Sequence, residues 1–204
     1  MTEAEALRAR VERVATALGG DVPGAALDRV VAWCAMVKET NARIDLTAAR
    51  SDDELVDLLV ADAVVLAGRV AKGVTVVDVG SGAGAPGLPL ALLRQDLEVT
   101  LVEPLDKRVS FLRSAIGRAA AGARLPRVVR GRGESLVGKG TFGVAISRAT
   151  LPPDEWLALG SRLAADVWVL LATTPLTTGE PVEAVDYVWP LTGVARRAVR
   201  VSVL

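Results

Sequence analysis

The sequence contains no histidine, a single cysteine and only 3% aromatic residues. Without histidine, the chain lacks a common zinc ligand and the side chain most often used as a general base near neutral pH. The lone Cys34 forms no disulfide within the chain, and we interpret it as a small buried apolar residue. We therefore expect no metal site, and a reaction that needs no imidazole.

Long apolar runs are also missing. No stretch reaches the roughly 18 consecutive apolar residues of a membrane-spanning helix, and the alternating acids and bases of the N-terminal segment do not resemble a signal peptide. These features favour a cytoplasmic protein with no membrane partner. What the sequence does contain is valine, leucine and alanine. Hydrophobic residues make up 51% of the 204 positions and the mean hydropathy is +0.38, which predicts a packed globular core.

Charge is unevenly distributed along a chain whose formal net charge is zero. The first 60 residues carry more acidic than basic side chains, whereas in residues 104–133 Asp106 stands alone among many basic residues. Such clustering is typical of a surface that meets a polyanion, although a solvated helix face has the same composition. The basic residues of this segment are Lys107, Arg108, Arg113, Arg118, Arg124, Arg127, Arg130 and Arg132.

Apolar residues recur at helical spacing before residue 70 and as short β-branched runs after it. The first pattern predicts helices over 3–18, 24–41 and about 52–68, forming an N-terminal helical extension of residues 1–70. The second predicts an α/β domain over residues 71–204, a compact unit with a doubly wound, mostly parallel sheet and a C-terminal antiparallel hairpin. Its predicted strands are 74–79, 98–102, 127–130, 142–146 and 167–171, its helices 86–94, 105–121 and 153–164, and its hairpin 185–189 with 194–203.

The most informative segment runs from Asp78 to Gly87, directly after the first predicted strand and at the start of a helix. Glycines there let the backbone turn sharply and approach a ligand, and free amides at a helix start attract polar groups. A dinucleotide loop has a similar pattern. The Gly-x-Gly-x-Gly spacing from Gly80 to Gly84, with Asp78 placed to attract an ammonium group, favours S-adenosylmethionine. Glu103, which ends the second strand, suits the ribose of either cofactor.

Several segments, taken in order, carry a more specific pattern. They are VVDVGSGAGAPGLPL at 76–90, LVEPLDKRVSFLR at 101–113, RGE at 132–134, ISRA at 146–149 and, upstream, Trp33 with NARIDLTA at 41–48. Together they resemble the bacterial small-subunit (16S) rRNA guanine-N7 methyltransferase family, also called the glucose-inhibited division protein B family. The resemblance covers roughly residues 27–172.

The resemblance implies a Rossmann-like class I methyltransferase that uses S-adenosylmethionine. It implies methyl transfer to N7 of a guanine, with small-subunit rRNA or the small ribosomal subunit as partner, and we expect a monomer. Arg148 is the expected catalytic residue, holding an oxygen of the guanine or of a phosphate. The expected substrate-binding residues are Lys107, Arg108 and Arg113. The expected cofactor-binding residues are Asp78, Gly80, Ser81, Gly82, Gly84, Pro86, Glu103, Pro104, Gly133, Glu134 and Arg148.

The sequence departs from the family pattern at four places. A histidine usual before the first strand is absent and only Asp62 of that motif remains, Asp45 replaces an asparagine, Gly143 replaces an acid, and no lysine follows the fifth strand near 172–173. These departures leave two alternatives open: a methyltransferase for a small molecule, and a cofactor-binding protein without rRNA methylation activity. Arg148 also has a purely structural interpretation, as an ion pair with Asp62. A nicotinamide-dependent reductase is disfavoured because a Tyr-x-x-x-Lys pair is absent.

Overall fold

A computed structural model describes residues 2–20, 22–119 and 122–203. It contains a seven-stranded mixed sheet in the order β3-β2-β1-β4-β5-β7-β6. The first five strands are parallel, and β7 lies antiparallel to both β5 and β6. The strands are β1 (Thr75–Val79), β2 (Glu98–Glu103), β3 (Arg127–Arg130), β4 (Phe142–Ser147), β5 (Ala164–Leu171), β6 (Glu183–Val188) and β7 (Ala195–Ser202).

Helices precede the sheet and connect its parallel strands. Helix α1 begins with a capping box, in which Thr2 and Glu5 satisfy each other's backbone amides. Ser51 caps α3 in a similar position by accepting a hydrogen bond from the Glu54 amide. The helices are α1 (Glu3–Ala17), α2 (Gly24–Asn41), α3 (Asp52–Val56), α4 (Asp62–Ala67), α5 (Gly87–Leu93), α6 (Asp106–Ala119) and α7 (Pro153–Gly160).

Between α3 and α4 the helix widens into a π-turn over Asp57–Ala61. The predicted single helix over 52–68 is therefore one continuous helical rod with an expanded turn inside it. Such turns are rare overall, and those that occur are often found at functional sites. Here the expanded turn begins at one buried carboxylate, Asp57, and is followed directly by another, Asp62, and the two residues are 0% and 2% exposed.

The predicted fold is confirmed, with one clear error at an element boundary. The helix predicted over 153–164 ends at Gly160, and β5 begins at Ala164 rather than at 167. Gly160 lies so close to β5 that an added Cβ would stand 2.7 Å from Val167 Cγ1. The Leu163 amide donates to the Gly160 carbonyl at 2.9 Å, which closes the chain reversal. The last two residues of the helix predicted over 105–121 lie outside the described part.

The core is continuous between the helical extension and the sheet. One cluster of buried residues runs from Leu7 of α1 through Trp33 of α2 to Ala198 of β7. Cys34 belongs to it and is 0% exposed, and burial raises the pKa of its thiol well above the usual range. The prediction that Cys34 is a small buried apolar residue is thus confirmed. A second cluster fills the opposite face of the sheet beneath α7.

Candidate active site

The turn after β1 is built from glycines with left-handed backbone conformations. Gly80, Gly82 and Gly84 have φ angles of 75°, 57° and 114°, which residues other than glycine rarely adopt. The amides of Gly80 and Ser81 both donate to the Val102 carbonyl, at 2.8 and 3.1 Å. The turn is therefore anchored to the end of β2. A Cβ on Gly80 would collide with the Thr150 side chain, so that position requires glycine.

Glu103 ends β2 beside this turn and is 2% exposed. Its Oε2 accepts a hydrogen bond from the Gly82 amide at 2.9 Å, and its Oε1 accepts one from the Leu105 amide at 3.0 Å. The two bonds fix the plane of the carboxylate. Each oxygen keeps a second lone pair for a hydroxyl donor.

The turn, Glu103 and the residues after β4 enclose a cavity of about 470 Å³, termed the turn cavity below. It lies at the carboxyl ends of the parallel strands, where open α/β sheets bind their ligands. Asn41 shapes the wall opposite the turn, because its Oδ1 accepts from the amides of Leu46 and Thr47 at 2.9 Å each. Of the predicted site residues, those lining the cavity are Gly80, Ser81, Gly82, Glu103, Pro104, Arg108 and Arg148.

Asp78 lies beneath the turn rather than in the cavity lining. Its side chain is 1% exposed, and its Oδ2 accepts from the Gly87 amide at 3.0 Å, at the start of α5. Burial raises the pKa of this carboxyl to about 7, against the opposing effect of the Gly87 hydrogen bond. In the described part of the chain, Oδ1 has no hydrogen-bond partner.

The remaining predicted cofactor residues are also outside the cavity lining. Gly84 and Pro86 are buried behind the turn. Gly133 packs against β1, where an added Cβ would stand 2.8 Å from Val79 Cγ1, and Glu134 is exposed. The structure therefore separates residues that face the cavity from residues that support it.

Trp33 is a supporting residue that the sequence suggested only through family resemblance. It lies on α2, fully buried, and its Nε1 donates to the Ala83 carbonyl at 3.1 Å. The helical extension thereby holds the glycine turn directly. The sequence around a tryptophan in this helix does not reveal that the side chain contacts a residue 50 positions away.

Arg148 follows β4 and forms one wall of the turn cavity. Its Nη1 donates to the Leu58 carbonyl and, at 3.1 Å, to Asp62 Oδ2. Asp62 Oδ1 in turn accepts from the Tyr187 hydroxyl at 2.8 Å and from Trp189 Nε1 at 3.3 Å. The ion pair named as an alternative for Arg148 is therefore present. Sequence reasoning missed Tyr187 and Trp189, whose contacts cross 125 and 127 residues.

A second cavity, of about 350 Å³, lies on the other side of Arg148 and is termed the hairpin cavity below. It is bounded by the ends of β4 and β5 and by the β6–β7 hairpin. Its lining is mainly apolar and includes Leu151, Pro152, Trp156 and Trp189. The Arg196 guanidinium stacks on Trp189, with its carbon 3.9 Å from the ring centroid.

The three predicted substrate-binding residues have different positions on α6. Lys107 and Arg113 are exposed. Arg108 reaches back to the extension, where its Nη2 donates to the Asp45 carbonyl at 3.2 Å. Within the described residues, its buried Nε has no hydrogen-bond partner. Arg108 is therefore a donor at the rim of the turn cavity.

Other site classes find no support in residues 2–20, 22–119 and 122–203. No group of three or more metal-binding side chains is assembled there. Across the same residues, no helix is long and apolar enough to cross a membrane.

Comparison with known proteins decides the family. The sequence model described as GidB, rRNA small subunit methyltransferase G, matches residues 26–174. The chain belongs to this family. The match covers every residue named above as lining the turn cavity and every strand from β1 to β5. It ends before the β6–β7 hairpin.

Curated members of the GidB family match at similar levels of identity. Ribosomal RNA small subunit methyltransferase G of Anaeromyxobacter dehalogenans is 38% identical over 71% of this chain and 64% of its own length. The Streptomyces coelicolor protein of the same name is 36% identical over 80% and 68%. The Streptomyces avermitilis protein is 34% identical over 90% and 75%. The chain thus spans roughly two thirds to three quarters of these relatives.

Solved structures agree on the fold. An RNA methyltransferase from Salinibacter ruber, in complex with S-adenosyl-L-homocysteine, has a TM-score of 0.53 at 19% identity, covering 70% of this chain and 88% of that one. A putative rRNA-methylase from Clostridium thermocellum has a TM-score of 0.51 at 14% identity, covering 70% and 94%. Together with the sheet order, these likenesses establish a class I methyltransferase fold.

The structure locates two of the departures from the GidB family pattern. Gly143 lies in β4, where an added Cβ would stand 3.1 Å from Val74 Cβ, so an acid there would need its neighbour to shift. Ala172, near the missing lysine, is exposed and lines the hairpin cavity. The second departure therefore removes a charge from a cavity mouth, whereas the first lies within the sheet.

Proposed function

We propose that this protein transfers the methyl group of S-adenosylmethionine to N7 of a guanine in small-subunit rRNA. The observation that carries the proposal is the turn cavity itself. A glycine turn, a fixed buried carboxylate and an arginine all line it. Family membership supports the substrate, since the curated relatives are named as small-subunit rRNA methyltransferases.

The residues of the turn cavity suit this cofactor. Glu103 has free lone pairs for the ribose hydroxyls, and Gly82 opens toward the cavity, where an added Cβ would meet only the Gly80 carbonyl, 3.9 Å away. We assign Gly80, Ser81 and Pro104 to the same cofactor contact. Asp78, Gly84, Pro86 and Gly133 support the turn from behind in this proposal, and a contact from Glu134 stays a prediction.

The chemistry requires alignment rather than proton transfer. When bound, the cofactor supplies an electrophilic methyl group on a positive sulfur. The lone pair of guanine N7 forms the new carbon–nitrogen bond while the carbon–sulfur bond breaks and its electron pair stays on sulfur. No proton leaves N7, so a chain without histidine can serve this reaction. Arg148 holds an acceptor oxygen and helps to exclude water, which fixes the nucleophile near the methyl carbon.

The remaining assignments follow from the same proposal. We infer that the enzyme acts as a monomer, in the cytoplasm and without a metal ion, because methyl transfer from a sulfonium needs no Lewis acid. Lys107 and Arg113 contact rRNA phosphates from the exposed side of α6, and Arg108 contacts them from the rim of the turn cavity. Residues 1–70 form an extension that supports the methyltransferase domain of residues 71–204.

The test is transfer of a labelled methyl group. The protein is incubated with labelled S-adenosylmethionine and either naked small-subunit rRNA or intact small subunits from cells that lack the N7 mark. We expect label in one guanine, and none when the subunits already carry the mark. Cofactor binding without any transfer would overturn the rRNA assignment and direct the search to small-molecule acceptors.

A further inference from the structure

We infer that the hairpin cavity receives the acceptor guanine base and that Asp62 positions Arg148 beside this base. This inference rests on the proposed function and extends it to residues of the C-terminal hairpin. Tyr187, Trp189 and Arg196 all lie beyond residue 174, where the match to the family model ends.

The two cavities are adjacent. The hairpin cavity and the turn cavity have three lining residues in common: Leu58, Arg148 and Ala149. A base in the hairpin cavity is therefore adjacent to a ligand of the turn cavity at these shared residues. In-line methyl transfer needs such an arrangement, because the nucleophile must approach the methyl carbon from the side away from sulfur.

The lining of the hairpin cavity suits a nucleobase. Aromatic and proline side chains present flat apolar surfaces, and enzymes that modify a base read it by stacking in a closed pocket. Trp156 and Trp189 are 2% and 4% exposed, and their indole N–H groups already bond to the Trp168 carbonyl and to Asp62. Their polar atoms are satisfied within the protein, so their part of the cavity wall is apolar.

The hydrogen bonding of the Arg148 guanidinium also fits a bound base. Within the described residues, its hydrogen bonds to Leu58 and Asp62 involve Nη1 alone. The Nε and Nη2 donors remain for a carbonyl oxygen such as O6 of guanine. Asp62 holds the guanidinium in place, and Tyr187 and Trp189 hold Asp62. Asp62 and Tyr187 are thus positioning residues that act through Arg148.

A steric block tests the location of the base. Ala172 is exposed and lines the hairpin cavity but not the turn cavity, so Ala172→Trp should fill the acceptor space without affecting the cofactor. We expect kcat/KM for RNA to fall at least about tenfold with cofactor affinity unchanged. The control is Ala184→Trp, the same change at an exposed position of β6. Equal activity of the two variants would overturn the assignment.

Photolabelling locates the base independently of methyl transfer. Protein loaded with S-adenosylhomocysteine is irradiated with 8-azidoguanosine 5′-monophosphate, and labelled peptides are identified by mass spectrometry. We expect label on peptides containing Trp156, Tyr187 or Trp189, reduced by excess guanosine 5′-monophosphate and in Ala172→Trp. No label there would overturn this inference. Label there without rRNA methylation would reject the rRNA substrate while supporting the base site.

Tyr187→Phe tests the positioning role, because it removes the hydrogen bond to Asp62 and keeps the ring. We expect kcat to fall about two- to tenfold, as one hydrogen bond is lost, with little change in KM or in cofactor affinity. If kcat falls in Ala172→Trp and Tyr187→Phe but not in Ala184→Trp, the losses are local to the site and do not reflect general instability. An unchanged kcat in Tyr187→Phe would contradict the role of this network.

Discussion

The turn cavity and the hairpin cavity meet at Arg148 but are built in different ways. The first is shaped mainly by backbone, with glycines in left-handed conformations and a carboxylate fixed by two amides. The second is shaped by side chains of Trp156, Tyr187 and Trp189, which come from α7 and the terminal hairpin. A backbone-shaped site tolerates few substitutions, whereas a side-chain-shaped site can change its ligand by local replacement. Cofactor binding and acceptor choice are therefore separable in this fold.

The largest expected effect is that of Arg148→Ala, at the boundary between the cavities. Loss of a donor to the reacting partner should lower kcat/KM for methyl transfer by about 100-fold or more. Cofactor affinity should change far less, because the glycine turn and Glu103 remain. Labelled methyl transfer and calorimetric titration measure the two quantities. Equal losses in kcat/KM and in cofactor affinity would show that the two cavities are not separable, and would assign Arg148 to the cofactor alone.

Glu103→Gln should weaken cofactor binding by roughly 10- to 100-fold, since an amide cannot accept from both the Gly82 and Leu105 amides and from ribose hydroxyls. Titration calorimetry with S-adenosylhomocysteine measures the change. Glu98→Gln is the matched control, because Glu98 begins the same strand and is exposed, in an ion pair with Arg124. Comparable losses in both variants would show that the effect is not local to the turn cavity.

Gly87→Ala should destabilise the fold by about 1–3 kcal/mol through overpacking. An added Cβ would stand 2.5 Å from Asp78 Oδ2 and 2.6 Å from Leu101 Cδ2. Gly117→Ala provides the contrast, since nothing lies within 4 Å of its Cβ position in α6, and alanine there should stabilise by about 0.5–1 kcal/mol. Denaturant unfolding of both variants checks the opposite signs. A destabilised Gly117→Ala with a neutral Gly87→Ala would refute this account of the turn.

Asp78 gives the most specific prediction, a slope of stability against pH. Its pKa in the folded protein is raised to about 7, above the unfolded value near 3.8, so the folded state binds the proton more tightly. Stability should be fully present below about pH 4 and decrease as pH rises toward about 7, by at most about 1.4 kcal/mol per pH unit.

Asp78→Asn should flatten that slope, whatever its effect on overall stability, as unfolding at several pH values would reveal. Asp57 contributes in the same direction, because burial raises its pKa too, so part of the slope remains. Asp45→Asn, at an exposed position, should leave the slope intact. An unchanged slope in Asp78→Asn would mean that the buried carboxyl is not protonated in this range.

Local sequence patterns sufficed for much of this fold and for the turn cavity. The β-branched run before Gly80 and the breakers after it specify a strand, a turn and a helix within a dozen residues. The end of α7 was mispredicted because Ala164 and Ala165 suit a helix, whereas close packing of Gly160 on Val167 ends it. The hairpin cavity was not foreseen, since Asp62 meets Tyr187 only through a sheet order in which β7 enters between β5 and β6.

The two buried carboxylates at the π-turn, Asp57 and Asp62, also have a consequence for biosynthesis. Asp57 accepts hydrogen bonds from Leu191 and Thr192, and Asp62 from Tyr187 and Trp189, so every one of these donors is made more than 120 residues later. Domains emerge from the ribosome N-terminal end first. Until the last hairpin emerges, both acids lack these donors, and burying them would be costly. The two acids therefore reach their final packing only after the β6–β7 hairpin has been synthesised.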